Sequence, residues 1–255
     1  MNHRSGTWFL PAAFMLAIAL VWEAAVQWGG TPRYILPAPS AILAVTIAKF
    51  GLLVRHGLVT LAEVLLGFVL AAAVSAVLAV AITFSRTVER TLMPLIIASQ
   101  TVPVFALAPL LILWFGYGMG SKVVMAAVIV FFPIVINAVN GLRSVDPDLI
   151  DLMKILEATD RQIFVKVRIP ASLPFVFAGL KIGVAVSVIG AVIGEWVGAR
   201  EGLGFLMIQA NAQLKTELVF ASILMLSLMG IFLYALVAWA GRVIAPWQPE
   251  QNKTS

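Results

Sequence analysis

The 255-residue chain has no cysteine and only two histidines, His3 and His56. It therefore lacks disulfides, thiolate metal sites and cysteine nucleophiles, and shows neither a His-rich metal site nor a Ser/His/Asp constellation on which to build an enzyme. Both histidines read as interfacial or tail residues. Charge is also scarce: Asp, Glu, Lys and Arg make up 11% of the chain, where soluble domains carry about 25%. Hydrophobic residues reach 62%, against about 45 to 50% in ordinary domains. With a mean hydropathy of +1.03, there is too little polar surface to cover a water-soluble core.

What charge there is comes in clusters. Residues 5 to 22, 64 to 85, 91 to 121, 123 to 142 and 218 to 241 carry none, and 169 to 194 is interrupted only by Lys181. A bilayer core about 30 Å thick needs about 20 helical residues. The six runs thus predict an all-α polytopic membrane protein, one domain over 1–255, with about six transmembrane helices at 8–28, 58–84, 91–115, 123–140, 173–196 and 218–241. Trp8, Trp28, Trp114, Trp196 and Trp239 stand at span ends, as interfacial aromatics do. The first run is kept as a span, because it continues to Trp28 with no A-x-A-like cleavage pattern near its end. With the N-terminus inside, Arg4, Arg86, Arg90, Arg143, Lys154, Arg161, Lys166, Arg168, Arg242 and Lys253 fall on the inner side. Arg33, Lys49, Arg55, Lys122, Arg200 and Lys215 fall outside, a bias that predicts both termini to be cytoplasmic.

Two connections are long enough to hold structure. In 29–57, Pro37-Ala38-Pro39-Ser40 precedes an apolar stretch, and Ser40 is the expected cap of a short helix along the outer surface; a linker packed on the bundle is the equal alternative. In 141–172, Asp146-Pro147-Asp148 reads as N-cap, Pro at N1 and an acid in the first turn, opening a helix to about Leu156. Thr159-Asp160-Arg161-Gln162 is a capping box opening a second short helix, expected to end at Pro170 and Pro174. A span pair needs only a few residues to turn round, so about thirty ordered ones imply a partner.

This loop resembles the cytoplasmic loop of the transmembrane subunits of bacterial ABC importers, whose pattern is EAA, three residues, Gly, nine residues, then I-x-L-P. Asp151-Leu152-Met153 falls at EAA, Glu157 at the Gly, Val167 at the Ile and Ile169-Pro170 at the final pair. Leu36-Pro37-Ala38-Pro39-Ser40, the run from Val102 to Leu110, Leu113-Trp114-Phe115-Gly116-Tyr117-Gly118, Phe132-Pro133-Ile134 and Gly202-Leu203-Gly204 are similar to the nitrate, sulfonate, taurine and pyrimidine-precursor permeases. Gly194-Glu195-Trp196-Val197-Gly198 and Ala210-Asn211-Ala212 look most like permeases for hydroxymethylpyrimidine-type thiamine precursors. The resemblance implies a homodimer in the bacterial inner membrane, over two cytoplasmic ATPase subunits that hold ATP and Mg, with an external solute-binding protein. It implies no cofactor or metal on this chain. Asp151, Lys154, Glu157, Thr159, Arg161, Ile169 and Pro170 are then the ATPase-coupling residues. A Gly at the position of Glu157 would take a left-handed backbone, so a wider bend is expected here.

Polar groups in spans face the bundle interior or water by default. Gln100, Asn137, Lys181 and Glu195 are such groups, as are Glu23, Glu63 and Asn140. Lys181 and Glu195, 14 residues apart, come within about 40° of one helix face but about 21 Å apart along it, and snorkelling of Lys181 is the alternative. Pro103 and Pro109 each free a carbonyl in the third expected span, and Trp114 and Phe115 offer aromatic faces to a planar ring; Trp196 completes the candidate path. The glycine-rich run from Gly116 to Lys122 lacks the spacing of a phosphate-binding loop, so nucleotide binding is expected on another chain. A channel or secondary transporter remains the alternative of a different class, although no inverted repeat is visible.

Overall fold

A computed structural model describes residues 9–30, 32 and 34–247, and among these there are helices and no strand. His3, Arg4, Trp8, Arg33 and Lys253 lie outside the described residues. The helices are α1 (Phe9–Trp28), α2 (Pro39–Ala48), α3 (Phe50–Phe84), α4 (Arg86–Ser99), α5 (Val104–Phe115), α6 (Met119–Arg143), α7 (Pro147–Ile155), α8 (Asp160–Ile163), α9 (Ile169–Gly198), α10 (Leu203–Ala212) and α11 (Thr216–Ile244), with a π-helical turn, Phe164–Arg168, joining α8 to α9. Four helices are long and apolar enough to cross a membrane, or five if the bent pair α4 and α5 counts as one span; α1 contributes a shorter apolar helix.

Three expected boundaries are corrected. The second span begins at Phe50 rather than residue 58, making α3 35 residues long, because the apolar run after α2 is helical throughout. The third is a broken helix: α4 stops at Ser99, α5 restarts at Val104, and the two are bent by 103°. Pro103, extended at the N-cap of α5, has no amide to donate and cannot continue α4. The expected short helix ending at Pro170 is instead the start of the next span, since helix runs from Asp160 to Gly198 over 39 residues. Within the π-helical turn, Ile169 donates to the Phe164 carbonyl; this wider turn admits Pro170 where the next donor is missing. Pro174 is likewise carried inside α9.

α6 and α9 form the central pair, with α3 against α6, and α11 and α10 closing over α9. Glycine allows the close approach: a Cβ at Gly179 would stand 2.8 Å from the Pro133 carbonyl, and one at Gly190 2.8 Å from the Ala126 Cα. Small residues serve α3 similarly, where Ala71 is buried and Ser75 donates to the Phe131 carbonyl. At the end bearing α7, Arg143 pairs with Glu89 of α4 and donates to the Ile82 carbonyl, joining α3, α4 and α6. The α10 end is opposite, because α9 runs from one to the other.

Candidate functional site: a broken span, a hooked loop and a buried acid cluster

Where α4 breaks, the bundle holds a cavity of about 570 Å³ between α3, α5 and α6, walled by side chains such as Leu70, Val104, Val128 and Phe131. Its polar lining residues are Ser99 and Gln100. The Ser99 hydroxyl donates to the Ile96 carbonyl of its own helix, whereas Gln100 is exposed at the C-cap of α4. Among the described residues, no ionisable side chain lines the cavity. The arrangement can take an apolar or planar solute and offer it an amide.

The loop between α6 and α9 forms a hook of two capped helices. Asp146 caps α7, its side chain accepting from the Asp148 amide at 3.0 Å, and Pro147 opens the helix. At the other end, Ala158 donates to the Met153 carbonyl and Glu157 to that of Lys154, the paired bonds of a Schellman motif. Glu157 has φ 57°, so the left-handed bend expected of glycine forms with glutamate in place, and the wider bend does not arise. The expected capping box is present, with Thr159 and Gln162 each bonded to the other's amide. Asp151 and Lys154 form an exposed pair at 3.3 Å, worth a few tenths of a kcal/mol at about this spacing. Arg161 and Ile169 are exposed and Pro170 is half-buried. Composition alone did not single out Leu152, Ile155 and Leu156, which are 51%, 78% and 68% exposed. Their spacing of three and four on a charged helix was the available signal.

At the α10 end, two expected path residues are used for packing. The Glu195 carboxylate is 1% exposed and accepts from Thr60 Oγ1 at 2.6 Å and from the amides of Gly204 and Phe205 at 2.5 and 3.3 Å. Thr60 Oγ1 accepts from the Leu203 amide and His56 Nδ1 from that of Gly202. Thus His56, read as interfacial, is a buried partner of this loop. Gly202, with φ 118°, passes so close to the Glu195 carboxylate that a Cβ would collide with it. Glu23 does the same for α2: it accepts from the amide and hydroxyl of Ser40 at 2.9 and 2.7 Å. Ser40 lies in the first turn rather than capping it, because the helix starts at Pro39 with Ala38 as N-cap.

The remaining path candidates are dispersed. Gln100 lines the cavity and Pro103 makes the break beside it, while Pro109 and Trp114 lie on α5 outside the lining. Asn137 donates to the Pro133 carbonyl at 2.7 Å, packed where α6 meets Gly179. Lys181 is half-buried on α9, and Trp196 is 43% exposed near its end. Lys122, from the glycine-rich run, is 5% exposed and donates to the Tyr117 and Gly118 carbonyls at 3.0 and 2.9 Å, closing the α5–α6 turn.

Residues 64–248 match the family model described as binding-protein-dependent transport system inner membrane component. The chain belongs to that family. It is a multi-pass permease subunit of an ABC importer. A probable ABC transporter permease protein of Haemophilus influenzae is 41% identical over 90% of this permease and 94% of its own length. The formylaminopyrimidine transport permease protein ThiX of Halalkalibacterium halodurans is 38% identical over 94% of this permease and 96% of its own. A chain from inward-facing conformations of the MetNI methionine ABC transporter shares the fold, with a TM-score of 0.66 and 21% identity over 80% of this permease and 99% of that chain.

Proposed function

We propose that this permease imports a hydroxymethylpyrimidine-type thiamine precursor, as a homodimer over two ATPase subunits, with both termini cytoplasmic and a binding protein delivering solute at the α10 end. The solute reading rests on the cavity at the broken span: its apolar walls and Gln100 suit an uncharged planar ring. A sulfonate or nitrate would lose hydration there with no cation among the described residues that line the cavity. The formylaminopyrimidine permease among the relatives supports the same class.

Coupling follows from stiffness. The exposed apolar residues of α7 enter a groove on the ATPase, beside Asp151, Lys154, Glu157, Thr159 and Arg161. The hook has a bonded bend and no slack segment, and it continues through Ile169 and Pro170 into one 39-residue helix, about 58 Å long at 1.5 Å per residue. Movement of the ATPases toward one another therefore tilts α9 and its neighbours instead of being absorbed in a linker.

The test is ATP-dependent uptake of labelled hydroxymethylpyrimidine, with taurine and nitrate in parallel, in vesicles holding this chain, its ATPase and its binding protein. Pyrimidine uptake that is lost with the double substitution Glu157→Pro and Thr159→Pro supports both solute and coupling. Uptake of only an anion keeps the importer and overturns the solute; uptake by this chain alone without ATP makes it a secondary transporter or channel.

A further inference from the structure

At the loop end of the bundle, α4 is held in two different ways. Its apolar face is packed: Ile96 is buried in one cluster with Ile82 of α3 and Leu142 of α6, and Val88 and Leu92 pack against that cluster. Such packing is non-directional and fixes a face without fixing position along the axis. Its first turn is bonded. Glu89 pairs with Arg143, whose other terminal guanidinium nitrogen donates to the Ile82 carbonyl at 3.2 Å. A planar fork with two fixed partners sets position as well as face.

Arg143 is also the last residue of α6 and the root of the hook. The Ser144 hydroxyl folds back on the Gly141 carbonyl at 2.8 Å, and Asp146, three residues after Arg143, already caps α7. The returning chain closes on the same point, where Arg168 donates to the Leu142 carbonyl at 3.4 Å. From Glu89, α4 runs on through Pro94 to its C-cap Gln100, 11 residues later, a length of about 16 Å at 1.5 Å per residue. There Gln100 lines the cavity and the chain turns by 103° into α5, which packs on the opposite half of α6, against Met125. The other ion pairs among the described residues make no such link: Lys154–Asp151 lies within α7, and Arg55–Glu201 is at the α10 end. Arg86 and Arg90, the cations beside Glu89 on α4, are exposed and make no ion pair among the described residues.

We propose that Glu89 and Arg143 are positioning residues for transport, whose pair pins α4 to the root of the hook. α4 then swings with the hook and moves Gln100 at the cavity, while α5, beyond the break, does not follow. The inference rests on the coupling reading above and not on the identity of the solute. The two side chains are 36% and 33% exposed, a setting in which an ion pair adds little stability, so its removal leaves the chain folded with α4 unpinned.

The chain has no cysteine, so spin labels can be placed at Leu95→Cys on α4 and Leu113→Cys on α5, both exposed. The distance between them is measured in nanodiscs holding the permease with its bound ATPase, without nucleotide and with ATP and vanadate. Nucleotide is expected to shift this distance when the native pair is present, and Glu89→Arg or Arg143→Glu to abolish the shift. The exchange of both, Glu89→Arg with Arg143→Glu, restores the bond between α4 and α6 though not that to Ile82, and is expected to recover most of the shift. In vesicles that also hold the binding protein, each single variant is expected to lower hydroxymethylpyrimidine uptake per ATP hydrolysed by about 2- to 30-fold, and the exchange to recover it. A shift that persists in both single variants, a shift that the exchange does not recover, or no shift with the native pair and the ATPase bound would overturn the proposal. A permease that retains no ATPase even with the native pair overturns the coupling reading and this proposal with it. Uptake of taurine or nitrate alone, with a shift that follows the pair, overturns the solute and supports the proposal.

Discussion

Glu157 holds a left-handed backbone that a side chain makes unfavourable, and it does so at the bend of the loop. Glu157→Gly is expected to raise thermal stability by about 1 kcal/mol, the usual cost of a non-glycine residue there. Glu157→Val, branched at Cβ, is expected to lower it; thermal unfolding of the purified permease measures both. The short helices α2 and α10 depend on distant carboxylates for their first turns, and Glu23→Ala, which leaves the Ser40 amide without its acceptor, should lower the same thermal midpoint. At this scale the sequence showed the Asp146 cap and the Thr159 capping box, since both bond within a few residues of chain. It placed the α2 cap on Ser40 because the true acceptor, Glu23, is 17 residues away.

Elements lie in the sequence more clearly than their ends. Long apolar runs yielded α3, α6, α9 and α11, but whether a helix stops at a proline depends on the turn before it. Pro103 breaks its span, while Pro170 is accepted after a π-helical turn. Helix pairing rests on glycines, so Gly190→Leu should drive a side chain into the Ala126 backbone and cost about 1–3 kcal/mol or more. The expected result is loss of the monodisperse species in detergent chromatography. On α7 the exposed apolar residues do not hold the fold. Ile155→Asp with Leu156→Asp should therefore leave the chain folded and abolish co-purification of the ATPase; a retained ATPase would remove α7 from the docking surface.

For the whole molecule, the proposed solute path and the proposed coupling lever meet on the same helices. α6 forms a wall of the cavity and packs along α9, so a tilt of α9 changes the space beside Gln100. Gln100→Ala is expected to reduce pyrimidine uptake by about 2- to 10-fold, the range for one lost hydrogen bond. Val128→Trp, which fills the cavity from its α6 wall, should reduce uptake further. Equal uptake by both variants and the native chain would place the solute elsewhere.

Residue composition and spacing determined that this is a helical membrane protein with an ordered charged loop, because hydrophobic length and local capping act over a few turns of one helix. They also marked Gln100, Glu63 and Glu195 as polar groups too costly to leave in lipid. Only the tertiary structure decided their uses, because those depend on which helices meet. Gln100 came to line a cavity once α4 and α5 parted by 103°, and Glu195 came to accept from Thr60, 135 residues earlier in sequence, under the first turn of α10.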